Sequence, residues 1–241
     1  MSLSLTVLGC DGSYPGPGGA CSGYLLRAGG FVTWLEAGSG TMANLQLHVP
    51  LESLGAVVIS HAHPDHWSDL EGLYVAMRYV LRLSGLPVYA PKGVRELTTF
   101  AREDRTFDWR VPAGGDSAWI GPARWSWSPT DHPVETLAAR VEYEGRVLGY
   151  SADSGPGWQL TELGGGLHLA LVEASLASEA EGTTQHLSAR QAGKAAASAG
   201  AERLVITHLQ PQIDHDRARA EAQAAFGGPV EVAAMGRTWE I

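Results

Sequence analysis

Short apolar runs separated by turn-forming breaks organise the first part of the chain. LSLTVL (3–8), SGYLLRA (22–28) and FVTWLE (31–36) are rich in the branched and aromatic residues that suit strands. AVVIS (56–60) is continuously apolar, as expected of a strand covered on both faces. The pattern then changes: Leu70, Leu73, Val75, Met77, Val80 and Leu81 recur at helical spacing up to Leu83. After Pro87, VYA predicts a short strand, and 93–101 a further helix. RWSWS (124–128) alternates, and LAARVEYEGRVLGYSAD predicts two strands joined at Glu144-Gly145. LHLALVEA (167–174) predicts another buried strand. SARQAGKAAASAGA predicts a helix capped by Ser188 and ended by Gly200. RLVITHL is a strand pattern, 214–226 a helical one, and VEVA and RTWEI close the chain as short strands. Strands in two groups, each followed by helices, predict an α/β fold of the four-layer αβ/βα sandwich kind. No linker or repeat divides the chain, so residues 1–241 are expected to form one domain.

Composition narrows the function classes. With 44% hydrophobic and 18% charged residues, the chain has an ordinary globular balance. Its formal charge is −9 (17 basic against 26 acidic side chains), and the basic residues are scattered, with Arg78–Arg82, Arg102–Arg105 and Arg217–Arg219 the densest groups. Such a balance disfavours a large nucleic-acid partner. Two cysteines, Cys10 and Cys21, are too few for a disulfide framework and are expected as reduced, buried thiols. There is no basic leader and no apolar run near the ~20 residues of a membrane helix, so a cytoplasmic protein with no membrane contact is expected.

Chemistry concentrates in VVISHAHPDHWSDLEGL (57–73), where His61, His63, Asp65, His66 and Asp69 follow the apolar run. Imidazole and carboxylate together suit divalent metals. In extended chain, residues 61, 63 and 65 would project to one side and 66 to the other. One ion could take His61 and His63, with Asp65 and His66 turned toward a second. An isolated HxH is weak evidence; the full HxHxDH is specific.

SHAHPDH is similar to the signature of the metallo-β-lactamase-fold hydrolases. Four further positions fit that resemblance in order: His132 in PTDHP, Asp153 in YSADSG, His186 in TTQHLS and His208 in VITHLQP. Within the fold, EASLASEAEGTTQHLSARQAG and the histidine of THL resemble the RNase Z-like phosphodiesterase branch, and bacterial cyclic-nucleotide phosphodiesterases in particular. The resemblance implies two divalent ions, Zn²⁺ first, with Mn²⁺ or Fe open. His61, His63 and His132 would hold one, Asp65, His66 and His208 the other, and Asp153 would bridge them. It also implies attack by a metal-bound hydroxide, with Asp65 orienting the nucleophile and His186 stabilising the phosphoryl oxygens or protonating the leaving group. Asp69, Asp131 and Glu173 are candidates for groups that orient ligands. His48, His168 and His215 match nothing in the pattern.

The chain departs from RNase Z in the HLS of 186–188, where RNase Z usually has His-Ser-Thr, and in the length of one segment. Only PGWQLTELGGG stands between YSADSG and the next strand, too short for an extended substrate arm, so a small phosphodiester is the expected substrate. A tRNA 3′-processing endonuclease is one alternative, and a lactonase, β-lactamase or thioesterase on the same metals is another. A non-catalytic scaffold should have lost ligands, and all seven are present. The loop GCDGSYPGPGGACSG could approach an anion through its backbone or be a tight connection. Trp67 and Trp125–Trp127 could stack a base or fill the core. Relatives of this kind include dimers, so a homodimer is possible.

Overall fold

Fourteen strands in two seven-stranded sheets carry the chain in a computed structural model that describes residues 2–99 and 105–241. In the first sheet, β1 (Leu3–Gly9), β2 (Gly23–Ala28) and β3 (Phe31–Leu35) form an antiparallel meander. β4 (Leu54–Val58), β5 (Leu86–Tyr89) and β6 (Phe107–Arg110) continue it in parallel. The second sheet repeats this arrangement. β7 (Ser117–Ile120), β8 (Ala123–Pro129), β9 (Leu137–Tyr143) and β10 (Arg146–Tyr150) are antiparallel, and β11 (Leu169–Glu173), β12 (Leu204–Thr207) and β13 (Val230–Val232) follow in parallel. β14 (Thr238–Glu240) then crosses back to pair with β1. The two closing strands therefore belong to different sheets, and β6 and β7 are strands that no clear alternation announces.

The period of two in strand side chains sets the layers. Leu3, Leu5, Val7, Tyr24, Leu26, Ala56 and Val58 face the second sheet, where they meet Trp125, Val141, Leu148 and Tyr150. Leu8, Leu25, Trp34 and Val57 point outward, onto α1 (Thr41–Leu45) and α3 (Leu70–Val75). On the far side of the second sheet, Ala170, Val172, Leu204 and Ile206 pack beneath α5 (Ala189–Ser198) and α6 (His215–Phe226). Two short helices, α2 (Pro64–Trp67) and α4 (Val94–Leu97), complete the set.

Several local expectations hold in detail. Ser188 caps α5, its Oγ accepting from Gln191 N at 3.2 Å, and Gly200 leaves the helix at φ 61. Glu144 and Gly145 both turn with positive φ, the primed hairpin geometry that suits twisted strands. The 70–83 helix differs. After Val75 it winds as a π-helical stretch, Ala76–Leu81, ending where Arg82 turns left-handed at φ 55. The extra residue per turn rotates the apolar face, so Leu70, Leu73 and Met77 are buried while Val80 is 73% exposed. The 93–101 helix spans Val94–Leu97 only; residues 100 and 101 lie outside the described residues. No helix among the described residues is long and apolar enough to cross a membrane.

The parallel halves of both sheets end at the same edge. β3, β4, β10, β11 and β12 deliver Glu36, Ser60–His63, Ser151–Asp153, Glu173–Ser175 and His208 there, the edge where ligands gather in layered α/β folds.

Candidate metal centre

β4 stops at Val58, two residues short of the run expected from its apolar pattern. His61 follows in an irregular segment, and His63 is the N-cap of α2, with Pro64 in the first helical position. Asp65 and His66 are therefore helical, not extended. Helical turning, rather than strand alternation, brings them to His208, while the His66 ring stays 4.1 Å from that of His61. Backbone bonds fix the helix to the end of β3: Ala37 N donates to His66 O at 2.7 Å and Asp69 N to Ala37 O at 2.9 Å.

All eight site residues expected from the sequence converge. Ligand atoms of His61, His63, His132 and Asp153 lie within 4.8 Å of one another, as do those of Asp65, His66 and His208, and those of Asp153, His186 and His208. In the first group, His63 Nδ1 is 3.1 Å from both His61 Nε2 and His132 Nε2. In the second, His66 Nε2 is 3.3 Å from His208 Nε2, which is 3.1 Å from Asp65 Oδ2. Asp153 stands between the groups, its Oδ1 3.4 Å from His66 Nε2 and its Oδ2 3.7 Å from His61 Nε2.

The outer nitrogens of these rings have their own partners. Ser60 Oγ is 2.9 Å from His61 Nδ1, the carbonyl of Gln185 3.2 Å from His132 Nδ1, and Ser175 Oγ 2.7 Å from His208 Nδ1. The Glu36 carboxylate is 3.4 Å from His66 Nδ1, and the Glu173 carboxylate is 2.8 Å from His186 Nδ1. Such partners fix ring orientation and tautomer. Glu173 had a sequence signal; Ser60, Ser175 and Glu36 did not stand out. For Glu36 the signal was the acid that ends an apolar strand pattern in FVTWLE. Non-glycine residues with positive φ cluster here: Ser13 (63), Glu36 (59), Ala152 (52) and His208 (56). Backbone strain of this kind gathers at functional sites.

Charge makes the donor set fit a cation. Burial alone would raise the carboxyls of Asp65 and Asp153, but the neighbouring imidazoles hold both below the usual range. Burial opposes charge on His66 and His208 too, yet the Asp153 and Asp65 carboxylates raise both. Burial keeps His61 and His132 low. His186 is raised to about 9: burial works against it, and the hydrogen bond and charge of Glu173 prevail. Two buried carboxylates facing inward imidazole nitrogens call for positive charge at their centre. Asp153 Oδ1 is buried without a hydrogen bond among the described residues. Atoms about 2.0–2.1 Å from one zinc ion stand roughly 3.3 Å apart when tetrahedral, close to the 3.1–3.3 Å nitrogen spacings seen here. The residues fit divalent metal.

Other candidate residues have different places. The glycine-rich loop approaches the centre itself: a Cβ on Gly12 would lie 2.3 Å from His208 O, and Ser13 N donates to Asp65 Oδ2 at 3.0 Å. Asp69 touches no candidate ligand; its Oδ2 accepts from Met42 N at 2.8 Å and so anchors the start of α1. Asp131 fastens the loop after Asp153, accepting from Gly157 N at 2.9 Å. Trp125 and Trp127 are core residues at 0% and 5% exposure, and Trp67 is partly buried against the core with its Nε1 donating to Ala62 O. Both cysteines are free thiols, which burial pushes up to about 12. A surface cavity of about 270 Å³ beside α5 includes none of the seven candidate ligands, so ligand geometry carries the assignment.

Residues 35–209 match the model of the β-lactamase superfamily domain. The probable metallo-hydrolase YhfI of Bacillus subtilis is 31% identical, with 99% of this chain and 100% of that protein covered. Its crystal structure, described as a metallo-β-lactamase fold protein, superposes with a TM-score of 0.91 at 30% identity over 99% of both chains. A ribonuclease Z of Mycolicibacterium paratuberculosis is 29% identical, with 95% of each chain covered.

Proposed function

The chain belongs to the β-lactamase superfamily as a metal-dependent hydrolase, and on that premise we propose that it hydrolyses a small, cyclic-nucleotide-like phosphodiester. The pairing of His186 with Glu173, aimed at the edge of the candidate metal centre, carries this reading. Two divalent ions held by His61, His63, His132, Asp65, His66, His208 and a shared Asp153, with Zn²⁺ favoured by the nitrogen-rich set, would supply Lewis acidity toward a phosphoryl oxygen and make water acidic near neutral pH.

The chain's own groups account for the remaining steps. His186 keeps a proton at neutral pH, because its Nδ1 is tied to Glu173. Its Nε2 is then free to hydrogen-bond a phosphoryl oxygen or deliver a proton to the departing alkoxide, a role that contributes about 10²–10⁴-fold. Asp65, kept ionised by the neighbouring imidazoles, orients the incoming water. Buried walls around His61, His66 and Asp153 exclude bulk solvent and strengthen each of these interactions.

The 29% identical ribonuclease Z supports phosphodiester chemistry over carboxylic substrates. For substrate size, the segment after Asp153 supports a small molecule. Leu160 and Leu163 within it are buried against the second sheet, so it covers the core rather than projecting to grip a polynucleotide. The zinc- or manganese-loaded protein is expected to hydrolyse 3′,5′-cyclic AMP, with His63→Ala inactive. Turnover of a tRNA precursor without turnover of cyclic nucleotides would favour the endonuclease, and turnover of lactones or thioesters alone would overturn the phosphodiester assignment.

A further inference from the structure

We propose that Glu36 is the positioning residue that sets the His66 ring for the second ligand group, and that Tyr150, from the opposite sheet, holds Glu36 in place. The inference rests on the reading of the site as a two-metal centre.

His66 is wholly buried and differs from His61, His132 and His208 in its outer partner. Ser60, Gln185 and Ser175 offer neutral oxygens to His61, His132 and His208. Nδ1 of His66 makes no hydrogen bond among the described residues, yet it faces Glu36 Oε2 at 3.4 Å. Closing that gap by about 0.5 Å makes an ordinary hydrogen bond. A neutral imidazole carries one N–H. Placed at Nδ1 toward a carboxylate, it leaves the Nε2 lone pair directed at the second group, where His208 Nε2 is 3.3 Å and Asp65 Oδ2 3.5 Å away. An anionic partner also makes Nε2 a stronger donor.

Glu36 is itself held against movement. It has no exposed surface and leaves β3 with a left-handed φ of 59, a conformation that side chains other than glycine adopt only under surrounding constraint. Ser60 N faces its two oxygens at 3.1 and 3.3 Å, and Glu36 N donates to Val58 O at 2.8 Å. The buried phenol of Tyr150, at the end of β10, lies close enough to the same carboxylate for that charge to act on it. Tyr150 is braced edge-on by Tyr24, with ring centroids 5.7 Å apart. One carboxylate thus joins the ends of β3 and β4 and faces a single imidazole nitrogen, with the phenol at the end of β10 beside it.

Zinc stoichiometry and stepwise affinity, read by competition with a chelating dye, test this on wild-type protein, Glu36→Gln and Tyr150→Phe, with ¹⁵N-histidine spectra of the zinc-loaded forms reporting the His66 tautomer. The nearly isosteric Glu36→Gln is expected to leave one site at wild-type affinity, weaken the other about 10–100-fold, and shift the His66 nitrogens alone. Tyr150→Phe is expected to weaken the same site by a smaller factor. Unchanged affinities and nitrogen shifts in Glu36→Gln, or equal loss at both sites, would overturn the role of Glu36. Wild-type protein that binds no zinc would overturn the metal centre and this inference together, an outcome distinct from either variant result.

Discussion

Glu173 braces His186: its Oε1 lies 2.8 Å from the ring's Nδ1, while Ser154 N and Ser175 N each donate to the same carboxylate at 3.0 Å. The acid is buried at the end of β11 with three donors around it, which fix it in place. A histidine next to a fixed anion keeps its proton and presents its other nitrogen in one direction.

His186→Ala is therefore expected to lower kcat by about 10²–10⁴-fold, with metal content retained. Glu173→Gln, which keeps the shape and removes the charge, is expected to cost about 10–100-fold. Rates and bound metal measured on the same samples decide the matter: wild-type turnover in either fully loaded variant would remove the pair from the chemistry.

His63 contributes the nitrogen that faces both His61 and His132. His63→Ala is expected to lose the ion of that group as well as activity, seen by elemental analysis of dialysed protein. Removing metal from the wild type with a chelator should lower Tm, because an ion at about 100 times its Kd adds roughly 2.7 kcal/mol to the folded state. A Tm indifferent to chelation and re-addition would argue against a bound ion.

Close backbone approach makes the glycine loop part of the site. Gly12→Ala would place its Cβ 2.3 Å from His208 O, and a Cβ on Gly38 would lie 2.1 Å from Asp65 O. Overpacking of this kind costs about 1–3 kcal/mol, so either substitution is expected to lower Tm and metal affinity together. Gly165→Ala, whose Cβ meets nothing within 4 Å, is the control. Tm values of all three indistinguishable from wild type would disprove the close approach.

Burial raises both thiols to about 12. Since the thiolate is the reactive form, Cys10 and Cys21 are expected to stay protonated at pH 8 and react negligibly with a disulfide reagent. Both should titrate promptly in denaturant. Rapid labelling of the native protein would show that these thiols are accessible.

Local pattern accounts for much of the fold. Apolar runs located most of the strands, because a buried strand must be apolar on each covered face. The Ser188 cap and the Glu144-Gly145 turn were legible because each depends on a few adjacent residues. The boundaries of β4, the π-helical stretch and the weak strands β6 and β7 were less so, since tertiary packing decides them against indifferent local preference. The return of β14 to β1 pairs residues more than 230 positions apart, as in Ser4 with Glu240, and no local pattern carries that information.

The site divides along the same line. The chain by itself determined the ligand types: HxHxDH brings His61, His63, Asp65 and His66 together through short covalent distances, and Asp153, His186 and His208 lie in motifs whose order matches a known fold. Only the tertiary structure decided which atoms face one another, placing Asp153 between the two groups and turning Asp65 and His66 on a helix rather than a strand. It also decided which groups hold the ligands. Glu36, Ser175 and the Gln185 carbonyl act across the ends of separate strands and loops, and Ser60 acts on its neighbour His61. Apart from the Ser60 contact, which joins neighbours in the chain, these contacts exist only once the strand ends and loops of each sheet have come together, because hydrogen bonding acts over about 3 Å of space and is blind to separation along the chain.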